Sequence, residues 1–106
     1  MRGPQTLGYW SRSAEADQPN CGSVYEHLVA GCRYQVIAPF TDHDGDTHPV
    51  GESWTFLGYC FLPYEDGMSF FVGMDEDMEY VIPLQWRVEE QAGILDALAD
   101  YIARLM

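Results

Sequence analysis

The segment FTDHDGDTHPVGESW, Phe40 to Trp54, sets three aspartates and two histidines between two apolar stretches. These residue types bind metals and move protons. Asp42, Asp44 and Asp46 recur at alternate positions, as ligands do in a calcium loop. Such a loop also needs glycine at its sixth position and a bidentate glutamate at its twelfth. Counted from Asp42, the sixth residue is Thr47 and the twelfth is Ser53, so the calcium pattern fails. Zinc accepts imidazole and carboxylate, which makes Asp42, His43, Asp44, Asp46 and His48 candidate ligands. Their spacing does not hold them on one face. Asp44-Gly45 is a common turn pair, and His48-Pro49 closes the segment with an extended residue before proline. The expectation is a polar turn, its aspartates in water and its histidines without fixed partners. A metal-binding loop over 42–52 is the alternative.

Other chemistry finds less support. His27 reads as a surface or half-buried residue. There is no G-x-S-x-G turn for a nucleophile and no glycine-rich phosphate loop. With 17 acidic residues, finding two that could serve as general acid and base carries no information. Three cysteines, Cys21, Cys32 and Cys60, match no CxxC zinc spacing and are expected as reduced thiols, Cys60 in the core and Cys21 in a polar tail. No catalytic residue and no cofactor is assigned. Trp54 is placed in the core, and Trp86, at the junction of sheet and helix, is read as packing under the helix, with a partly exposed binding platform as the alternative.

Positioning must come from a small domain. The 106 residues suffice for one core, and a 47% hydrophobic, 14% aromatic composition is that of a folded chain. All five bases are arginine, and the net charge is −12. Binding to nucleic acid displaces counterions with cations, so a duplex is repelled, and an anionic membrane is disfavoured for the same reason. A basic protein partner suits the charge better. The N-terminus lacks the apolar core of a signal peptide, and no run reaches the roughly 20 apolar residues of a membrane span. The cytoplasm is the expected compartment.

Residues 1–22 read as a flexible tail that touches the domain only through Tyr9 and Trp10, with one domain over 23–106. Ser23-Val24-Tyr25-Glu26 has the form of a capping box opening a short helix that Gly31 would stop. A strand follows over Arg33–Phe40, with Tyr34, Val36, Ala38 and Phe40 on one face. Ser53–Leu62 is an aromatic strand covered on both sides in its second half. Trp54, Phe56, Cys60 and Leu62 are expected on one of its faces, with a bulge or bend at Gly58. The turn at Pro63–Gly67 predicts a hairpin to Met68–Val72. After an acidic turn over 74–77 comes a strand at Glu79–Leu84. From Val88 to Met106, Ile94, Leu95, Leu98, Tyr101, Ile102 and Leu105 make one apolar stripe, predicting an amphipathic helix that caps the sheet.

The stretches LVAGCRYQV, FTDHDGDTHPVGESWTFLGYCFLPYEDG and IPLQWRVEEQAGILDALADYI together resemble a small, mostly bacterial family known as a domain of unknown function, number 3601. The likeness runs over about residues 28–102. It implies a single domain of bacterial, intracellular origin and supplies no ligand or catalytic residues. The expected fold is α+β: a strongly bent antiparallel sheet of four or five strands, of the SH3-like small-barrel kind, with a short N-terminal helix and a C-terminal amphipathic helix. An open sheet with one helix is the alternative. The expected function is a non-catalytic protein-binding or regulatory module. The alternatives are metal-assisted hydrolysis at the 42–52 loop and an immunity-type decoy that neutralises a basic protein.

Overall fold

The computed structural model describes residues 1–15, 18–74 and 77–105. In chain order the elements are β1 (Arg2–Thr6), α1 (Arg12–Glu15), β2 (Cys21–Gly22), β3 (Val24–Tyr25), β4 (Leu28–Val29), β5 (Arg33–Val36) and β6 (Phe40–Thr41). They continue with β7 (Thr47–His48), β8 (Ser53–Leu62), β9 (Gly67–Gly73), β10 (Met78–Gln85), α2 (Glu89–Asp96), α3 (Leu98–Tyr101) and β11 (Ile102–Arg104). The fold is α+β, dominated by antiparallel sheet. Its main sheet runs β1-β10-β9-β8-β5-β11, with β2 paired beside β8 and the path open at β1 and β11. Among the described residues this sheet has seven strands rather than four or five. Asp75 and Glu76, from the expected acidic turn, lie outside the described residues.

The aromatic strand and its two partners form where the alternation of side chains places them. β8 pairs with β9 through Leu62↔Gly67, and β9 pairs with β10 from Glu79↔Gly73 to Gln85↔Gly67. Between Phe56, which faces Val72, and Gly58, which faces Phe71, Leu57 is an extra residue. One inserted residue reverses the facing of everything after it. Trp54 and Phe56 therefore share the main core with Tyr59 and Phe61, while Leu57 and Cys60 turn to the opposite face. This corrects the grouping of Cys60 and Leu62 with Trp54. Glycine is required at the bulge: φ is +139°, and a Cβ there would lie 2.5 Å from that of Ala14.

The sheet thus has two covered faces. The larger core joins Tyr34, Val36, Trp54, Phe56, Phe70 and Ile82 to Ile94, Leu95 and Leu98 of the helices. On the opposite face Phe71, Val81 and Cys60 are covered by Ala14, with Trp10, Cys21 and Leu57 around them.

The described residues of the 1–22 segment pack on the sheet instead of forming a detached tail. β1 pairs along β10, β2 pairs along β8, and Ser11 and Ala14 are buried. Nor does Ser23 open a helix. Val24↔Val29 and Tyr25↔Leu28 pair as a hairpin, with Glu26 at φ +51° in its turn. The phenol of Tyr34 holds that turn, donating to the carbonyl of His27 (3.0 Å) and accepting from the N–H of Val29 (2.7 Å). Burial of Leu28 and Tyr25 against the main core outweighs the local capping pattern. The expected strand over 33–40 splits, because Pro39 separates β5 from β6.

The C-terminal segment is a helix only in part. Its apolar stripe docks as expected, but α2 breaks at Ala97 (φ −120°, ψ 36°) and the chain returns to extended form at Ile102. There it pairs with β5 as an edge strand, Ile102↔Val36 to Arg104↔Tyr34. Sheet hydrogen bonds and burial of Ile102 replace the last turns of helix. Among the described residues no helix is long and apolar enough to cross a membrane.

Candidate functional site

The 42–52 segment begins as the turn its sequence describes. Phe40↔His48 and Thr41↔Thr47 pair β6 with β7, and Gly45 at φ +89° turns the tip. The side chains depart from expectation. Asp42 and His48 are 3% and 1% exposed, and the imidazole stacks on Phe40 with ring centres 4.7 Å apart. One carboxylate oxygen of Asp42 accepts the N–H groups of Asp44 (2.9 Å) and Asp46 (3.2 Å). The other accepts Nε2–H of His48 (2.7 Å) and the amino group of Met1 (2.7 Å). Nδ1–H of His48 donates to Glu52 at 2.5 Å. With both carboxylates ionised, each ring nitrogen donates, and the site favours the imidazolium over the neutral ring.

The remaining candidates sit outside this cluster's centre. Asp46 is exposed and accepts from the amino group of Met1 (2.6 Å), while Asp44 pairs with Arg2 (3.1 Å). His43 is exposed, and its backbone N–H donates to the carbonyl of Pro83 (2.8 Å). The segment is therefore a turn whose tip is exposed, with Asp42 and His48 alone of the five candidates buried at its base. Gln91 of α2 ties it to the helix layer by donating to the carbonyl of Thr41 (2.6 Å).

Burial alone would depress the pKa of His48, but the hydrogen bonds to Glu52 and Asp42, with their charges, raise it above the usual imidazole value. For Asp42 burial acts upward, and the bonds from the Met1 amino group, His48 and the Asp46 N–H outweigh it, leaving the carboxyl below its ordinary value. The amino group of Met1 is likewise raised against its own desolvation by Asp42 and Asp46. A histidine donating from both nitrogens offers neither a base nor a metal lone pair, and each oxygen of Asp42 already accepts two donors. Among the described residues no group of three or more His, Cys, Asp or Glu side chains is arranged to hold an ion.

Two further sites escaped the sequence reading. Glu79, fully buried in β10, accepts the N–H groups of Gly8, Trp10 (3.2 Å) and Ser11 (2.9 Å) and the Ser11 hydroxyl (2.9 Å). One carboxylate thereby satisfies the turn that leads into α1. Its only sequence signal is a charge in an apolar strand, which demands buried partners. Cys21 and Cys60, expected as thiols, are disulfide-bonded. They face each other across paired strands, a proximity invisible at a separation of 39 residues.

The third feature is a cleft of about 490 Å³ between the β3–β4 turn and the α2–α3 junction. Tyr25 and Trp86 contribute aromatic surface, and Glu26, Asp96 and Asp100 contribute carboxylates. Trp86 is half-buried, packed against the main core on one side and lining the cleft on the other. Burial, then the charges of Glu26 and Asp96, push the Tyr25 phenol above its ordinary pKa, so it stays neutral. His27 donates from Nε2 to the carbonyl of Ile102 (2.6 Å), fixing the turn over β11.

No curated protein matches the chain. Among solved structures, an integron cassette protein from the mobile metagenome of Vibrio cholerae is similar, at 36% identity and a TM-score of 0.73, over 78% of this chain and 91% of that one. The match to a family of domains extends over residues 13–105, well beyond the 28–102 the quoted stretches suggested. The chain belongs to that family, described as Domain of unknown function (DUF3601).

Proposed function

We propose that the protein is a non-catalytic binding module, acting in the cytoplasm, that takes a basic segment of a protein partner in the cleft between the β3–β4 turn and the α2–α3 junction. One observation carries this reading. The cleft combines the rings of Tyr25 and Trp86 with the carboxylates of Glu26, Asp96 and Asp100, on a chain of net charge −12. Aromatic faces attract a guanidinium through their quadrupole, and the carboxylates add charge-assisted hydrogen bonds. The field of the whole chain steers a cationic segment toward it and repels nucleic acid. Metal-assisted hydrolysis at 42–52 has less support, since both nitrogens of His48 and both oxygens of Asp42 are engaged.

The test is titration of a synthetic arginine-rich peptide, followed through the Trp86 indole N–H resonance. Asp96→Asn with Asp100→Asn should weaken binding by roughly two- to thirtyfold, from about 0.2–1 kcal/mol per exposed ion pair. Glu65→Gln with Glu89→Gln, equal in charge change and away from the cleft, should do much less. Equal weakening by both pairs, or an unmoved Trp86 resonance, would refute the assignment of the cleft.

A further inference from the structure

We propose that the protein holds a second binding site, for a small monocarboxylate with an apolar tail, in the pocket between residues 7–12, the β3–β4 hairpin and the bulge of β8. This pocket has a volume of about 520 Å³ and shares no lining residue with the Tyr25–Trp86 cleft. Small-molecule sites occupy roughly 300–1,000 Å³, so a ligand of that class fits.

The walls are fixed by bonds of their own. Glu79 accepts the N–H groups of Gly8 and Ser11, and the N–H of Arg12 donates to the carbonyl of Gly8 (3.2 Å). At the base of the hairpin the N–H of Ala30 donates to the carbonyl of Ser23, and that of Gly31 to the carbonyl of Phe56, both at 2.8 Å. Leu57, the extra residue of the bulge, packs on this side of the sheet against the Phe71–Val81 cluster. Bulges re-aim side chains and recur beside functional sites. A wall already held in place costs little to order when a ligand arrives.

The lining selects the ligand's chemistry. Leu7, 46% exposed, and the half-buried Leu57 supply apolar surface. Among the described residues Arg12 is the only charged group in the wall, although the chain carries 17 acids. Arg2 pairs with Asp44 and Arg87 with Asp66, whereas no described carboxylate pairs with Arg12. The N–H groups of Gly8, Ser11, Ala30 and Gly31 are already bonded, which leaves the guanidinium to meet an anion. Its planar fork matches the two oxygens of a carboxylate. Ser23, exposed at the same wall, adds a hydroxyl. The net charge of −12 repels anions at long range, but salt near 0.1 M screens charges beyond about 10 Å. Within that distance the sign of the wall decides.

Titration with sodium octanoate at about 0.15 M salt, followed through the Leu7 and Leu57 methyl resonances, tests the site. Both leucines should show saturable shifts, and octylammonium at equal concentration should produce none. Shortening the acid to hexanoate should weaken binding by up to about fourfold for each methylene removed from the apolar wall. These comparisons need no substitution, so they hold whatever a variant does to folding. Arg12→Gln, at an exposed position, should weaken octanoate about two- to fivefold, and Arg12→Lys should restore part of the loss. Arg104→Gln, the same change at an exposed residue outside the wall, should bind like the parent. Unmoved Leu57 methyls, octylammonium binding as tightly as octanoate, affinity independent of tail length, or equal weakening by the Arg12 and Arg104 variants would each overturn the proposal.

Discussion

Replacing His48 by alanine removes the cation that lies between Asp42 and Glu52. Asp42 is left with a fully buried carboxylate, while Glu52 keeps 17% side-chain exposure and can turn to water. Breaking a buried ion pair from one side costs about 3–5 kcal/mol. The lower end applies, because Asp42 retains the Met1 amino group and the N–H groups of Asp44 and Asp46. Loss of the stack on Phe40 adds about 0.5–1.5 kcal/mol. A total of about 3.5–4.5 kcal/mol should lower Tm by roughly 14–36 °C at this chain length. His43→Ala, at an exposed position, should change stability by less than about 0.5 kcal/mol. Urea denaturation at pH 6, followed by circular dichroism, measures both. The pH profile supplies a second readout. Because the folded pKa of His48 is raised from 6.5, its contribution is complete below 6.5 and is lost as pH rises through the folded value. The contribution of Asp42, lowered from 3.8, is present above 3.8 and is lost as pH falls through its folded value. Wild-type stability should therefore peak between those limits, and His48→Ala should lose the decline that begins above 6.5. A variant as stable as His43→Ala, with the wild-type slope intact, would refute the buried cluster.

Glu79→Ala removes the acceptor of three backbone N–H groups and one hydroxyl, and leaving buried donors unsatisfied costs about 1–3 kcal/mol each before rearrangement. Equilibrium denaturation should show a loss of about 2–4 kcal/mol, with faster amide exchange at residues 8–11, and unchanged exchange there would show that water replaces the carboxylate. Leu98→Ala, at a position 2% exposed beneath the α2–α3 junction, should cost about 2–5 kcal/mol. A melting temperature within a degree or two of the parent would show that this junction is not packed as described.

Where an element is encoded by residues two or four apart, the sequence alone determined it. The alternation of Ser53–Leu62 and the turn at Pro63–Gly67 set the β8–β9 hairpin. The spacing of Ile94, Leu95 and Leu98 set the face by which the helices dock. Even the bulge was announced, by a glycine inside an aromatic strand. What followed from it was not, since one extra residue sends Cys60 to the face opposite Trp54. The same holds for Asp42 and His48: Asp44-Gly45 marks the turn, but a local pattern does not say whether a side chain beside a turn points to water or inward. That direction depends on the Met1 amino group arriving 41 positions away and on Gln91 of α2 bonding Thr41. Cys21 meets Cys60 across 39 residues, and Glu79 meets Ser11 across 68. In each case the partner lies far along the chain, and the neighbours in sequence give no sign of it. Only the pairing and packing of distant strands brought partners near enough to offset the cost of burying these polar groups.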